Sequence, residues 1–448
     1  MFVVETGSGV LHASGASENH AGSGTGLSMK KIAIIGSGIS GLTAAYMLHG
    51  KHQVSVFEAN KYIGGHTNTI EVLDKQHHRV IPVDTGFIVF NDRNYPNLCS
   101  LFDQLGVKSR ESDMSFSVHC QETGLEYNGT NLDKIFSQRR NLLNPKFWIM
   151  LKDILRFHKQ GPAALQNNLS DLITVDEFSL QNRYSRQFIE NYLIPLGASL
   201  WSCPADRFRQ FPMRFVLEFL DNHGMLQVDN RPQWRTVVGG SCQYIKPMVK
   251  GFNNRIFLNS PIRKVRRSGG QVTVRFENGS EQKFDEVILA THADQSIHLV
   301  EDMDEDELDI LKNFPYQDNE VILHTDTSLL PENRRAWASW NYRIPRGKNS
   351  HASLTYNMNM LQGIESPHTY CVSLNQSELI DESTIIRRVN YHHPVFHTGR
   401  NHAQAQHQQL IQRRGISYCG AYWGYGFHED GVSSALAVCK TFDMELAA

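Results

Sequence analysis

Three glycines between an apolar stretch and an alanine- and leucine-rich stretch offer the clearest chemistry in this sequence. Lys31–Ile35 has the β-branched composition of a buried parallel strand, and residues 42–48 have helical character. Gly36 permits a tight turn, Gly38 lets the main chain approach a diphosphate, and Gly41 lets the helix lie close to the strand. The diphosphate would face the free N–H groups of the helix start. The predicted contacts are Gly36, Ser37, Gly38, Ile39, Ser40 and Gly41.

A carboxylate follows the next predicted strand at the spacing expected for a dinucleotide site. Residues 52–57 form that strand, and Glu58 comes 22 residues after Gly36, where it can accept hydrogen bonds from a ribose hydroxyl. Six residues beyond Glu58, Gly64 and Gly65 predict a second close approach of the main chain. We therefore expect a bound dinucleotide, with Glu58, Ala59, Gly64 and Gly65 among its contacts.

The stretch EANKYIGGHTNT resembles the ExxxxxGG(R/H) extension of FAD-containing amine oxidases, protoporphyrinogen oxidases and phytoene desaturases. Plain nicotinamide dehydrogenases do not normally carry it. His66 stands where many of these enzymes have Arg, which keeps a donor near the phosphate but makes its charge depend on pH. The resemblance implies FAD, bound non-covalently.

Residues 418–440 at the far end of the chain support the same interpretation. They predict a strand, a glycine-rich aromatic turn and a helix from about Ser433. In the resembling families this segment returns to the first domain and lies beside the flavin. On that match the contacts are Gly420, Glu429, Asp430, Gly431 and Val432. The alternative is an ordinary helix start, with Asp430 or Ser433 as the capping residue.

A third segment, residues 257–294, predicts hairpins and then a buried strand that ends in ATHAD. It resembles the middle FAD-domain segment of the same families. Ile262 matches the residue that meets adenine through its backbone, and Ala290 and Thr291 match the turn near the diphosphate. Thr85, Gly86 and Phe87 follow a short strand that such folds bring near the flavin. With three segments in the right order, FAD is favoured over NAD.

These segments predict the fold class: α/β, with a discontinuous Rossmann-type FAD-binding domain and an inserted α+β substrate domain, as in amine oxidases and glutathione reductase. We expect a disordered leader or tag at 1–28, because it is rich in Gly and Ser. The FAD-binding parts are predicted at 29–110, 236–300 and 410–448. The substrate parts are predicted at 111–235 and 301–409.

One predicted helix, over residues 144–159, has two interpretations. Phe147, Leu151, Ile154 and Leu155 indicate a surface helix that packs on the core. The alternative is a patch that rests on a membrane or admits a lipid, because Trp148 and the nearby cations suit an interface.

The chemistry expected of the flavin is direct two-electron oxidation of an organic substrate, because the chain has neither CxxC nor a second GxGxxG. Amine oxidases of this fold commonly carry a Lys near the flavin. By rough alignment Leu323 or His324 replaces it, which weakens the amine-oxidase interpretation. His428, Glu429 and His324 are the weak candidates for catalysis, and the catalytic base is otherwise unknown.

Four further strings, VDTGFIVFNDRNYPNL, VVGGSCQYI, AWASWNY and YCGAYWGYGFHEDG, resemble a bacterial group of amine-oxidase-like proteins. Their genes are often found near cyclopropane-fatty-acid-synthase-like methyltransferases. The resemblance implies that a hydrophobic substrate, such as a methylated fatty acyl chain of a lipid, is oxidised or desaturated. The alternatives are an amine oxidase acting on a polyamine or aromatic amine, and a flavin-binding accessory partner of a lipid methyltransferase.

Composition and charge limit the other classes of function that this sequence could have. A formal net charge of -2 over 448 residues argues against a nucleic-acid binder. The scattered histidines predict no metal site, and seven cysteines without CxxC predict free thiols in a reducing compartment. No apolar run approaches the roughly 18–20 residues that span a bilayer. We expect a cytoplasmic protein, with peripheral contact to the inner face of the membrane as the alternative above.

Overall fold

A parallel five-stranded sheet, built from three distant parts of the chain, carries the glycine turn. The computed structural model describes residues 28–74, 77–227, 231–347, 353–397 and 399–446. Apart from Ser28, the predicted leader lies outside the described residues. The strands are β1 (Lys31–Ile35), β2 (Gln53–Phe57), β3 (Thr69–Asp74), β4 (Arg79–Asp84), β5 (Ser109–Glu111), β6 (Phe116–Cys120), β7 (Leu125–Asn128), β8 (Arg235–Val237), β9 (Ile256–Phe257), β10 (Ile262–Ser268), β11 (Gln271–Phe276), β12 (Glu281–Phe284), β13 (Glu286–Leu289), β14 (Tyr316–His324), β15 (Trp340–Ile344), β16 (Leu354–Asn357), β17 (Cys371–Leu374), β18 (Ile385–Pro394) and β19 (Ile416–Tyr418).

One set of helices packs on this sheet, and another set forms a separate cluster. The helices are α1 (Ile39–Leu48), α2 (Pro96–Leu105), α3 (Leu132–Ile135), α4 (Pro145–Gln166), α5 (Val175–Gln181), α6 (Arg186–Phe188), α7 (Ile194–Leu200), α8 (Ala205–Phe208), α9 (Met213–Asn222), α10 (Ile245–Val249), α11 (Ala293–Leu299), α12 (Glu305–Leu311), α13 (Met358–Gln362), α14 (Arg400–Ala405) and α15 (His428–Lys440).

The strand order of the parallel sheet is β19-β13-β1-β2-β9. All four pairings are parallel, so the N-terminal, middle and C-terminal segments meet in one sheet. Helix α1 packs between this sheet and α15, where Leu42 and Val438 are fully buried in one core cluster. The predicted α/β class with a discontinuous nucleotide-binding unit is confirmed.

A second sheet of seven strands has the order β18-β14-β17-β16-β15-β6-β7. Helices α4 to α9 lie in the sequence between its strands, and their core is rich in phenylalanine. Within the described residues, none of the helices combines the length and the apolar character that a membrane crossing requires. All seven cysteines are free thiols, as predicted.

Two predicted helices differ from the structure at their ends or faces. Helix α4 extends to Gln166, beyond the predicted end, and Leu155 is 62% exposed instead of packing on the core. Helix α15 begins at His428, five residues before the predicted start. Neither Asp430 nor Ser433 is the residue before the helix, because the Asp430 carboxylate accepts the N–H of Phe427 at 2.8 Å and starts the helix there.

Asp84, at the end of β4, joins three parts of the fold through its buried carboxylate. It accepts hydrogen bonds from the hydroxyl of Thr69 on β3 and from the N–H and hydroxyl of Ser241. The side-chain amide of Gln362 on α13 donates to it at 2.9 Å. Burial raises the pKa of Asp84 to about 6, against the pull of these donors toward the charged form.

We predict that Asp84→Ala lowers the free energy of unfolding by about 3–5 kcal/mol, because it leaves several buried donors without an acceptor. Asp84→Asn keeps the shape and part of the accepting capacity, so its cost should be about half. Urea unfolding followed by circular dichroism measures both. The exposed Asp103→Ala should change stability by less than about 0.5 kcal/mol. Equal stability of the native protein and Asp84→Ala would contradict this role.

Candidate functional site

The glycine turn leaves a bare main-chain surface at the start of α1. A Cβ on Gly41 would lie 2.0 Å from the carbonyl oxygen of Gly36, so Gly41 is required for the close packing of helix and strand. A Cβ on Gly38 would meet nothing within 4 Å. The turn is fixed by the N–H of Gly36, which donates to Phe57 at 2.9 Å. Open space therefore lies in front of Gly38, where the helix N–H groups point.

Two further glycine segments close around this surface. The N–H of Gly64 donates to the carbonyl oxygen of Ser37 at 3.0 Å, and a Cβ on Gly65 would lie 3.1 Å from the Cα of Gly38. From the other end of the chain, a Cβ on Gly431 would lie 2.7 Å from Ile39 and 2.9 Å from the hydroxyl oxygen of Ser40. The structure thus brings together three segments that the sequence predicted separately.

Glu58 lies at the end of β2 with its carboxylate directed at the glycine turn. It accepts the N–H of Ser37 at 3.0 Å and the hydroxyl of Ser37 at 2.6 Å. Its other oxygen accepts the N–H and the side-chain amide of Asn60. The N–H of Ser260 donates to the carbonyl oxygen of Glu58, so Ile262 begins β10 two residues from this point. Ala59 is exposed beside it.

The segment of Ala290 and Thr291 completes the floor of the turn. The carbonyl oxygen of Ala290 lies 2.6 Å from where a Cβ of Gly36 would be, and the Ala290 N–H donates to Ile35. The hydroxyls of Thr291 and Ser296 are 2.9 Å apart at the start of α11. These contacts place the end of β13 directly against the glycine turn.

Residues 85–87 lie along the segment that contains His66. The N–H of Phe87 donates to the carbonyl oxygen of His66 at 2.8 Å, and Gly86 is too close to that oxygen for a side chain. Thr85 donates through its hydroxyl to Asn68. The ring of Phe87 stacks on His428 with 3.7 Å between centroids.

Three aromatic side chains from distant segments surround His66. The centroid of Tyr391 lies 4.7 Å away, that of His393 5.5 Å and that of His292 6.1 Å. Burial, and then the neighbouring imidazoles, lower the pKa of His66 and His393 to about 3 and that of His292 to about 4. In the described part of the chain, Nε2 of His66 is buried and meets no partner. His66 is therefore a neutral group with a free ring nitrogen.

Glu429 and His428 lie close to the site but have other roles than the predicted ones. The Glu429 carboxylate accepts the N–H groups of Asn97 and Leu98 and so caps the start of α2. His428 is hydrogen-bonded through Nε2 to the hydroxyl of Thr67 at 3.0 Å. Burial lowers its pKa to about 3, and such a group binds a proton too weakly for general-base catalysis at neutral pH.

Asp430, Gly420 and Val432 shape the C-terminal turn rather than present side chains to a ligand. Asp430 caps its own helix, and Val432 is fully buried in the core beside α1. The N–H of Gly420 donates to the hydroxyl of Ser434 at 2.9 Å. Contact with a cofactor through the main chain of this segment stays a prediction.

Leu323 and His324 lie far from the glycine segments. In the pairing of β14 with β18, Asn319 is opposite Tyr391 and His324 is opposite Ile385. Five residues along a strand span about 17 Å. Nε2 of His324 is 2.8 Å from the Ser373 hydroxyl, inside the second sheet. Two residues of β14 contact the histidine cluster instead: the Asn319 amide is 2.9 Å from Nδ1 of His393, and the ring of Tyr316 stacks on His292 with 4.3 Å between centroids.

Arg400 was not found from the sequence, yet it holds the aromatic turn in place. Its buried guanidinium donates to the carbonyl oxygens of Tyr422 and Gly424, and it stacks 3.5 Å from the centroid of Phe396. The amide of Gln404 donates to the same two carbonyl oxygens. Burial lowers the pKa of Arg400 to about 9, so it is still charged at neutral pH.

With this geometry established, similarity to known proteins defines the family. A family profile described as flavin containing amine oxidoreductase matches residues 39–366. The chain belongs to this family. The prediction of a flavin oxidoreductase of the amine-oxidase superfamily is thereby confirmed.

Individual relatives are more distant. A 1-hydroxycarotenoid 3,4-desaturase of Flavobacterium sp. (strain P99-3) is 60% identical over 45 residues, 10% of this chain and 9% of that protein. A probable flavin-containing monoamine oxidase A of Dictyostelium discoideum is 24% identical over 276 residues, 58% of this chain and 56% of the relative. The matches thus span well under two thirds of both curated relatives. The crystal structure of a CLA-producing fatty acid isomerase from P. acnes has a TM-score of 0.65 at 16% identity, covering 92% of this chain and 98% of that chain.

The residues present fit the flavin that the family implies. The open space at Gly38 and the unpartnered Nε2 of His66 suit an anionic group held by main-chain amides. Glu58 lies where β2 ends, and a ribose hydroxyl would take the place of one of the donors from Ser37 or Asn60 that its carboxylate now accepts. The expected contacts at the glycine turn, at Glu58 and at His66 therefore agree with each other in space.

We predict that Gly38→Val gives a folded protein without bound flavin, because a Cβ at this position meets no protein atom within 4 Å and the side chain would occupy the space in front of the helix. Gly41→Val should instead prevent folding, because it would overlap Gly36. Flavin content is measured from visible absorption and folding from circular dichroism.

The matched control is Gly50→Val, which also meets no atom within 4 Å but lies on the surface. It should keep the flavin of the native protein. Full flavin content in Gly38→Val would show that the cofactor does not approach this turn.

We also predict that the flavin-free protein loses stability as the pH falls below about 6.5. The unfolded chain takes up protons there, whereas His66, His292, His393 and His428 stay neutral in the fold until pH about 3–4. Each histidine contributes a slope of about 1.4 kcal/mol per pH unit between these limits. Urea unfolding at pH 7, 6 and 5 measures how the free energy of unfolding changes with pH. His393→Asn should reduce this slope by the contribution of one histidine. An identical slope in this variant would contradict the neutral cluster.

Proposed function

We propose that the chain is an FAD-dependent oxidoreductase that oxidises or desaturates a hydrophobic substrate, with a fatty acyl chain of a lipid as the substrate class. The observation that carries the proposal is the chemical character of the residues around the C-terminal turn. The carboxylates there already have partners within the protein, and the remaining wall is aromatic.

Three carboxylates already accept hydrogen bonds within the protein, which argues against a cationic substrate. Glu429 accepts the N–H groups of α2, Asp430 accepts the N–H of Phe427, and Asp84 accepts donors from β3 and α13. A polyamine or a primary ammonium group needs an acidic or carbonyl-lined partner when it leaves water. Recruiting any of these three carboxylates would leave buried donors of the fold unpaired.

An aromatic wall extends from the helical cluster to the C-terminal turn. Phe427 stacks on Phe219 at 5.2 Å, and Tyr425 lies 5.2 Å from Phe215. Trp201 lies 5.1 Å from Phe219. Trp201, Phe215 and Phe219 are buried among themselves, so Tyr425 and Phe427, which are partly exposed, are the side chains that would offer apolar area to a substrate. In addition, β14 contains no lysine, unlike the corresponding strand of the amine oxidases that the sequence resembles.

The chain's own residues define how the cofactor would be held. The main chain at Gly38 and Gly65 and the ring of His66 would bind the diphosphate, and Glu58 would orient the ribose. When bound, the flavin supplies two-electron oxidation and passes the electrons to oxygen or another acceptor. Arg400 and Gln404 fix the aromatic turn, and the aromatic wall excludes water from it.

Non-covalent binding of FAD is supported by the state of Cys419, the cysteine next to Gly420 in the C-terminal turn. Cys419 is fully buried in the core cluster that contains Ile39 and Val432, and burial raises the pKa of its thiol. A protonated, buried thiol is a poor nucleophile. Heat or acid should therefore release all of the flavin as FAD, which chromatography distinguishes from FMN.

The relatives support both the main proposal and one alternative. The names of the carotenoid desaturase and the fatty acid isomerase refer to apolar compounds. The match to the monoamine oxidase favours oxidation of an amine instead. A third candidate, a flavin-binding accessory partner of a lipid methyltransferase, follows from the sequence resemblance alone.

The deciding experiment is anaerobic reduction of the bound flavin. We predict that extracted bacterial phospholipids with methylated acyl chains bleach the 450 nm region absorption, whereas putrescine and benzylamine do not. Gly50→Val should behave as the native protein, and Gly38→Val should have no flavin to bleach.

Bleaching by an amine with hydrogen peroxide release in air would replace the proposal with amine oxidation. No bleaching by any lipid or amine, together with co-purification with a lipid methyltransferase, would support the accessory role instead.

A further inference from the structure

Exposed apolar side chains and cations are concentrated in one segment, residues 132–159, away from the glycine turn. This segment contains seven Lys or Arg residues and two Asp residues, in a chain whose formal net charge is -2. It also contains six exposed large apolar residues in succession. They are Leu132, Leu142, Leu143, Trp148, Ile149 and Leu155.

The exposed face of α4 carries both kinds of side chain. Trp148, Ile149, Lys152, Leu155 and Lys159 are all exposed and fall within one arc of the helix at 100° per residue. The opposite face is buried through Phe147, Met150 and Phe157. The helix therefore has a core face that needs no partner and an outer face on which exposed apolar and cationic side chains are mixed.

The exposed apolar residues at the start of α4 are held in a fixed arrangement by contacts within the protein. The indole N–H of Trp148 donates to the carbonyl oxygen of Leu142 at 2.9 Å, and its ring lies 5.3 Å from Phe136. This bond joins the turn before α4 to the helix and holds Leu143, which is 90% exposed, at the outermost point. A fixed apolar projection of this kind loses little conformational entropy on insertion into another phase.

The two acidic residues offset only part of the positive charge of this segment. Asp153 is buried, accepts the N–H of Ser185 at 2.8 Å and pairs with Arg156, and Asp133 pairs with Arg139. Lys146 and Lys152 are exposed, and neither takes part in an ion pair within the described part of the chain. The outer surface thus has unpaired cations among exposed apolar side chains.

A polar cavity of about 760 Å³ adjoins this surface through Arg139 and Arg140. Arg140 donates to the carbonyl oxygen of Gly124, and Arg346, also on the wall, donates to that of Gln121. The carboxylate of Glu126 in the cavity already accepts the N–H groups of Glu332 and Asn333. Among the described residues neither Arg140 nor Arg346 has a carboxylate partner, so their charges are available to an anionic group such as a lipid phosphate, whereas Arg139 is paired with Asp133.

We propose that this surface, formed by Leu142, Leu143 and the outer face of α4, docks on an anionic lipid bilayer. The apolar residues enter the level of the lipid headgroups, and the surrounding Lys and Arg side chains contact lipid phosphates. Charge complementarity identifies the partner, because an acidic bilayer matches a surface that combines an excess of Lys and Arg with exposed apolar side chains. The inference rests on this surface alone and does not depend on the proposed chemistry.

The test is flotation of the purified full-length protein with vesicles of phosphatidylcholine alone or with 30% phosphatidylglycerol. We expect binding to the anionic vesicles only, weakening as salt rises from 50 to 300 mM. The double variant Leu142→Ser and Leu143→Ser should lose most of the binding. Lys146→Gln with Lys152→Gln should weaken it by about 5-fold for each charge removed.

The matched control is Leu308→Ser with Leu379→Ser, which removes two exposed leucines elsewhere and should bind as the native protein. Brominated lipid should quench tryptophan fluorescence, and Trp148→Phe should lose that quenching. Circular dichroism and flavin content verify that each variant is folded.

Failure of the native protein to float with anionic vesicles at low salt would overturn the inference. Unchanged binding of the Leu142 and Leu143 double variant would do the same. A dimer in sedimentation that this variant dissociates would assign the surface to a second copy instead. None of these outcomes changes the result of the flavin-bleaching experiment. The proposed reaction is therefore tested independently of membrane docking.

Discussion

The fold depends on the close approach of main chains that have no side chains between them. Gly41 lies against Gly36, Gly65 against Gly38, and Gly431 against Ile39, at distances that a Cβ would violate. These residues come from the N-terminal strand–helix unit, the segment after β2 and the last helix. The contacts that form a binding surface for an anion are therefore the same contacts that join distant parts of the chain. Folding and cofactor binding are subject to one steric constraint.

Charged side chains around this surface serve the architecture. Asp84 joins β3, β4 and α13, Glu429 caps α2 from α15, and Arg400 holds the turn at Tyr422. Each of these groups has partners of its own within the fold, so each is costly to redirect toward a ligand. The polar groups that remain near the glycine turn are main-chain amides, imidazoles, hydroxyls and the carboxylate of Glu58. A site of this kind can hold an anionic cofactor and still present a largely apolar wall to a substrate.

Local chemistry made the glycine turn and Glu58 predictable, because a strand, a turn and a helix specify each other over about thirty residues. The start of α15 was predicted five residues late, because Asp430 starts the helix by accepting the Phe427 N–H, as a residue inside the first turn can. The assignment of His324 depended on strand register, and only the structure shows that Asn319, opposite Tyr391 on β18, places its side-chain amide beside His393. Arg400 lies in a polar stretch of sequence and is buried only because the aromatic turn, far along the chain, closes over it.

The histidine at position 66 makes physical sense within the cluster that surrounds it. A guanidinium there would carry a permanent charge beside His292 and His393. An imidazole with a pKa of about 3 stays neutral when no anion is present, so the buried site has no uncompensated charge. To protonate it at pH 7, a diphosphate must supply about 5 kcal/mol, and at pH 5 about 3 kcal/mol. Without an anion the ring is neutral at pH 7, so the donors that this turn would first offer a diphosphate are its main-chain N–H groups.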